Sequence, residues 1–163
     1  MTLRLILMRH AKSGWDDPSL SDHERPLNKR GRQSATALGV WLRREGYFPD
    51  LVLCSDAVRT RETLDRLNLE TEARVLSALY LAPPGILLQH LHQSEQMPTV
   101  LMIAHNPGIA AFAAAMIAAP GDTDFRRYPT GATSVIDLPI ADWERAKTGN
   151  GSLADFIIPR QLI

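Results

Sequence analysis

Apolar residues along this chain fall into short runs that stop abruptly at polar clusters, and the segments between the runs carry helical stripes. Leu3 to Met8, interrupted only by Arg4, ends at Arg9-His10; Leu51-Val52-Leu53-Cys54 ends at Ser55-Asp56; Thr99 to Ala104 ends at His105. Runs of this length bounded by polar residues suit strands covered on both faces. Ala73 to Leu76 reads as a further short strand. Thr133 to Leu138 and Ala154 to Ile158 read as two later ones, joined by a polar turn region around Gly149-Asn150-Gly151.

The helical segments alternate with these strands. Asn28 suits the cap of a helix running to about Glu45, with Ala35, Leu38, Trp41 and Leu42 on one stripe and Gly46 closing it. A second helix is expected from about Ala57 to Leu67, capped by Ser55 or Asp56, and a short third from Ile86 to His92 behind Pro83-Pro84-Gly85. Asn106 at the cap and Pro107 at the first helical position open an alanine-rich helix that Pro120-Gly121 ends. Strands alternating with helices predict an α/β fold of three α/β/α layers, with a mostly parallel central sheet and helices on both faces. No repeat or linker divides the chain, so residues 1–163 read as a single domain. Parallel packing brings three strand ends to one rim: Arg9-His10, Ser55-Asp56 leading to Arg59, and His105-Asn106. Open α/β sheets place ligands at that rim.

Composition narrows the class. At 163 residues the chain is long enough to bury a proper core. Lys+Arg and Asp+Glu each number 18, and the zero net charge argues against a nucleic-acid partner held by bulk charge. Cys54 stands alone, which excludes an intramolecular disulfide and fits a reducing compartment. The first apolar run is too short for a secretory signal, and Ile109 to Ala119, the longest apolar stretch, is too short to span a bilayer. The expectation is a soluble cytoplasmic protein with neither membrane nor nucleic acid among its partners.

Two imidazoles, at least two guanidiniums and the free N–H groups of helix starts define a chemistry. A guanidinium fork matches phosphate oxygens bidentately, and helix N-termini add donors and a favourable dipole. The ligand expected at the rim is therefore a phosphoryl group. One neutral histidine can attack phosphorus and carry the group, while the second donates a hydrogen bond to the oxygens in transfer. No metal or other cofactor is required, since fixed cations supply the electrostatics and the acids are scattered through the Gly14 to Pro26 loop.

Several neighbours read more simply. His90 and His92, two apart on a helix, do not share a face and are surface residues. Arg61 is a solvated helix residue, Cys54 a small hydrophobe within its strand and Trp41 a core residue; Trp15 either covers the rim or packs locally. The loop acids read as solvated charges, with Asp16, Asp22 and Glu24 left open as proton donors.

Arg9-His10-Ala11, followed by Lys12-Ser13, resembles the Arg-His-Gly box of the histidine phosphatase, or phosphoglycerate mutase-like, superfamily, with alanine in place of the usual glycine. Ser55-Asp56-Ala57-Val58-Arg59-Thr60-Arg61-Glu62-Thr63 is similar to the family's Ser-x-x-x-Arg-x-x-x-Thr segment, and Ala104-His105-Asn106-Pro107 to its second-histidine box. The short length, Arg25-Pro26-Leu27 ahead of the first helix and the His-Asn-Pro form point to the bacterial phosphohistidine phosphatases of the SixA type. The resemblance implies a phosphoglycerate mutase-like fold and a metal-independent phosphatase. In it His10 is the nucleophile, Arg9 and Arg59 clamp the phosphate and His105 stabilises the group in transfer. Arg25, Ser13 and Asn106 add substrate contacts.

Larger members of that family place a carboxylate after the third strand as general acid, but Ser77 to Pro83 contains none. A phosphoramidate needs less acid help than an alkyl ester, particularly with its ring protonated. The expected partner is therefore a phosphorylated protein bearing phosphohistidine. A phosphatase of small phosphorylated molecules is the alternative, and a non-catalytic phosphate or phosphoprotein binder is the rival of another class.

Overall fold

The structure, a computed structural model, describes residues 1–163. One six-stranded sheet runs through it: β1 (Leu3–Arg9), β2 (Leu51–Ser55), β3 (Ala73–Leu76), β4 (Thr99–Ala104), β5 (Thr133–Leu138) and β6 (Ser152–Ile157), in the order β3-β2-β4-β1-β5-β6. The first four strands in that order pair in parallel, while β5 pairs antiparallel with β1 and with β6. The mostly parallel sheet expected from the sequence thus carries an antiparallel edge.

Alternation along the strands explains the layers. Leu3, Leu5 and Leu7 of β1 join one core cluster with Val100, Met102 and Ala104 of β4, while Ile6 and Met8 join a second with Leu101 and Ile103. Successive side chains point to opposite faces, so each central strand needs cover on both sides. Helix α1 (Lys29–Arg44) brings Leu38, Trp41 and Leu42 to the second cluster, together with Leu67 of α2 (Val58–Leu67). Helices α3 (Pro84–His92), α4 (Gly108–Met116) and α5 (Thr123–Arg127) cover the first with Leu87, Leu91, Ile109, Phe112 and Phe125.

Boundaries differ from the sequence reading where local capping is overridden. Asn28 does cap α1, accepting from the Gly31 amide at 2.8 Å. Neither Ser55 nor Asp56 caps α2; Ala57 occupies that place, and the first helical amide, Val58, donates instead to the His23 carbonyl at 3.0 Å. Asn106 does not cap α4, whose cap residue is Pro107 across a cis Asn106–Pro107 bond, and the helix stops at Met116. Strand β6 begins at Ser152, not Ala154, and α5 lies in a stretch without a predicted element. No helix is long and apolar enough to cross a membrane.

Candidate active site

The carboxyl ends of β1, β2 and β4 meet at one cavity of about 350 Å³, lined by Arg9, His10, Ser13, Arg25, Arg59, His105 and Asn106 among others. All seven site residues expected from the sequence therefore share one pocket. The chain around His10 is fixed by its backbone. The His10 amide donates to Ala104 at 3.1 Å, and Gly131, at a φ of +76° that favours glycine, donates to the Arg9 and His10 carbonyls at 3.1 and 2.9 Å.

The spacing of the Ser55, Arg59 and Thr63 segment acquires a physical meaning. Residues four apart on a helix lie on one face. Thr63 accepts from the Ala11 amide at 3.1 Å, securing the turn after His10, while Arg59 reaches from the same face to His10. Ser55, at the end of β2, meets the His105 Nε2 atom at 2.7 Å. One short segment thus positions both histidines.

His10 has its Nδ1 atom 2.7 Å from the Ala11 carbonyl and its Nε2 atom 3.3 Å from Arg59 Nε. A carbonyl only accepts and a guanidinium only donates, so the ring is neutral, with its proton on Nδ1 and its lone pair on Nε2. Burial lowers its pKa to about 3; the Ala11 carbonyl opposes this, and the Arg59, Arg9 and Arg25 cations reinforce it. His105, 5.3 Å away between ring centroids, is likewise lowered to about 3, by burial first and then by its neighbours His10 and Arg59. Ser55 Oγ accepts from the Ala57 amide at 3.3 Å, and its hydroxyl has no other acceptor than His105 Nε2. With the Ser55 hydroxyl donating to Nε2, the His105 proton lies on Nδ1, which is buried without a partner in the protein.

The loop between β1 and α1 contributes the Asp22 carboxylate, which the sequence leaves open between a solvated charge and a proton donor. Asp22 Oδ1 accepts from Arg25 Nη2 at 3.0 Å, Oδ2 accepts from Arg59 Nη2 at 3.0 Å, and the Tyr80 hydroxyl also donates to Oδ2. Partial burial opposes ionisation here, but the Tyr80 bond and the two guanidiniums outweigh it and hold the carboxyl well below the usual range. Asp16 and Glu24 take no such position; Glu24 accepts from Ser21 at 2.9 Å. Arg25 is 7% exposed, donates to Ser13 Oγ at 2.7 Å and stacks beneath the exposed Trp15 ring, 3.5 Å from its centroid. Trp15 therefore covers a site residue.

Two tyrosines complete the frame, and neither stood out in the sequence. Tyr80 sits edge-on to His105 and to His23, with centroids 5.4 and 4.8 Å away. Tyr128 is fully buried, donates to the Leu7 carbonyl at 2.6 Å, and its own carbonyl accepts from Arg9 at 3.2 Å and Asn106 Nδ2 at 3.0 Å. Asn106 thus ties its turn to the end of α5, leaving Oδ1 buried and unpartnered. Arg61 is exposed, and Cys54 is buried with its thiol pushed up to about 12 by burial. His92 meets the Ala146 carbonyl at 2.7 Å, and no group of three or more His, Cys, Asp or Glu side chains is arranged to hold a metal ion.

Three guanidiniums, Arg9, Arg25 and Arg59, with the Lys12 ammonium at the same pocket, outnumber the one Asp22 carboxylate and leave the surroundings of the histidine lone pair positive. A phosphoryl dianion is the ligand of matching charge and geometry.

Comparison with known proteins agrees with this geometry. The sequence model of the histidine phosphatase superfamily (branch 1) matches residues 5–79. An uncharacterised protein of Mycobacterium tuberculosis is 33% identical over 160 residues, covering 94% of this chain and all of the relative. A candidate phosphohistidine phosphatase SixA from Nakamurella multipartitia superposes with a TM-score of 0.88 at 28% identity, over 98% of this chain and 97% of its own. The protein histidine phosphatase SixA complexed with tungstate gives 0.80 at 25% identity, over 99% and 100%. The chain belongs to the histidine phosphatase superfamily and is of the SixA type, with its phosphoglycerate mutase-like α/β fold. It is, by that membership, a phosphatase.

Proposed function

We propose that the protein hydrolyses phosphohistidine on a protein substrate through a covalent phosphoryl group on His10. The observation that carries this reading is the neutral His10 ring, its Nδ1 proton held by Ala11 and its Nε2 lone pair set beside Arg59. The Nε2 pair attacks phosphorus, and the bond from phosphorus to the substrate nitrogen breaks with its electrons going to that nitrogen. A substrate ring protonated on its other nitrogen leaves as neutral imidazole and needs no further proton. Arg9, Arg25 and Arg59 hold the phosphoryl oxygens, with Ser13 and Asn106 at the pocket wall, and His105 Nδ1–H donates to an oxygen as charge builds. Water then attacks phosphorus, the bond to His10 Nε2 breaks, and inorganic phosphate departs with its proton balance met by phosphate itself.

The choice of substrate rests on protons. Segment 77–83 contains no acid, and Asp22 at the pocket is held ionised by Arg25, Arg59 and Tyr80. An alkoxide leaving group would require a proton that neither supplies, whereas a protonated phosphoramidate does not. The test compares a phosphohistidine-bearing protein with para-nitrophenyl phosphate and sugar phosphates, with chelator present and His10→Ala as control. Turnover of phosphohistidine well above the esters, lost in the variant and accompanied by an alkali-stable, acid-labile phosphoenzyme, is expected. Faster ester turnover would keep the nucleophile and overturn the substrate; phosphate binding with neither turnover nor phosphoenzyme would leave a binding module.

A further inference from the structure

Beside the catalytic pocket lies a second cavity of about 270 Å³, and its charge is unlike that of the chain as a whole. Lys12, Arg30, Arg127 and Arg160 line it, with Asp124 as the one acid. Asp124 is taken by Arg160 at 2.9 Å, whereas the side chains of Lys12, Arg30 and Arg127 make no hydrogen bond or ion pair within the protein. Three unpaired cations therefore face one concavity in a protein whose net charge is zero. The two cavities adjoin, with Lys12 and Thr130 lining both.

The position of Arg30 strengthens the case. It stands in the first turn of α1, which contains no acidic residue, and a cation there opposes the helix dipole. Local rules are broken most often where function demands it. The helix start is itself drawn against the site: the Asn28 amide donates to the Lys12 carbonyl at 3.0 Å, and Gly31 lets the two backbones touch. The cavity is smaller than those enclosing whole drug-sized ligands, and fits one anionic group.

We propose that this cavity is a subsite for a second anionic group, a carboxylate or a phosphate, carried on the substrate next to the reacting phosphoryl. The inference rests on the phosphatase reading for the first group and extends it to which substrates are preferred. A phosphoryl seated on Arg59 and His10 leaves Lys12 on the path between the two cavities, with Arg30 and Arg127 beyond it. Exposed cations such as these are individually weak and act together.

The test measures binding to His10→Ala protein, which cannot turn over. One pair of peptides carries a stable phosphohistidine analogue and differs only in two neighbouring residues, glutamates in one and glutamines in the other. A second pair is a sugar monophosphate and the corresponding bisphosphate. The more anionic member is expected to bind about three- to tenfold tighter. The preference should shrink as salt rises and vanish when Arg30→Gln and Arg127→Gln are added. Preference in the peptide pair alone assigns the anion to a protein, and in the sugar pair alone to a small molecule; either supports the subsite. Equal affinity within both pairs, or a preference that survives the double substitution, overturns it. Turnover of phosphohistidine protein by the unsubstituted chain reports separately on the proposed function. Turnover without preference sinks the subsite alone, and preference without turnover sinks the function alone.

Discussion

Arg59 presents its Nε–H to His10 Nε2 at 3.3 Å, so a permanent cation rests on the atom proposed to attack. Burial is the main cause that takes the histidine to about 3, and the Arg59 charge adds to it by discouraging protonation of that nitrogen. An ordinary histidine loses its nucleophilic form as pH falls below about 6.5. Here the lone pair is available across the whole range above about 4. Phosphoenzyme formation from phosphohistidine in a single turnover should therefore not fall between about pH 8 and pH 5, where protonation of the substrate ring only assists its departure. A fall centred near 6.5 would show His10 titrating normally and would remove the burial argument. His10→Ala should lower turnover on the order of a thousandfold or more, as loss of a nucleophile does.

Asp22 occupies the guanidinium edges that a phosphoryl group would use, bridging Arg25 and Arg59. Binding of phosphate must displace or share that carboxylate. Asp22→Asn should then tighten competitive inhibition by inorganic phosphate about five- to tenfold, the scale of one partly screened charge pair. Because the carboxyl is held ionised, the same variant should change phosphohistidine and ester turnover by a common factor. A selective loss of ester turnover would make Asp22 the proton donor.

Arg59 donates through Nε to His10 and through Nη1 and Nη2 to the Asp22 carbonyl, 2.7 Å, and carboxylate, 3.0 Å. Lysine keeps one charge but cannot make three fixed contacts. Arg59→Lys should lower kcat/KM by roughly 10²-fold and cost stability too, since Asp22 loses a buried partner. Recovery of near-normal activity in the lysine variant would show that charge alone suffices.

The legibility of this molecule in its sequence follows from which interactions are local. Strand runs such as Val100 to Ala104 declare themselves because both faces are covered, and Asn28 declares α1 because a cap acts within three residues. The meeting of the histidines and Arg59 at one cavity is legible through their boxes. Asp22 was not, because its partners Arg59 and Tyr80 lie 37 and 58 residues away and nothing near it marks the contact. Tyr128 was hidden for the same reason: its hydroxyl meets Leu7 across 121 residues. Asn106-Pro107 misled because a good local cap was overridden by two carbonyls at the end of α5.

Stability should depend on pH in a direction fixed by the two histidines. Each has a folded pKa near 3 against an ordinary 6.5, so between those values the unfolded chain binds more protons. Stability is fully present above about 6.5 and is lost as pH falls toward 3, with a slope of about 1.4 kcal/mol per pH unit for each histidine. Asp22, with its lowered pKa, adds a loss in the same direction below its ordinary range, near 4. Urea unfolding at pH 7, 6, 5 and 4 reads the slope, and His10→Gln should reduce it by about half above pH 4.5. A flat profile would mean that the histidines are solvated in the folded protein.

Gly31 links the helix to the site without taking part in chemistry. A Cβ placed there would lie 2.0 Å from the Lys12 carbonyl oxygen, which already accepts from the Asn28 amide. Backbone on both sides leaves no flexible side chain to give way, so Gly31→Ala must push the start of α1 off the turn after His10. Overpacking of this kind costs about 1–3 kcal/mol, or roughly 2–10 °C in Tm for a chain of this size. The same displacement moves Lys12, whose carbonyl is the contact, and with it the turn that Thr63 secures through the Ala11 amide. Activity should fall along with stability, and at temperatures well below the new Tm kcat/KM should remain depressed. Full activity at low temperature would show that the turn holds its geometry without α1.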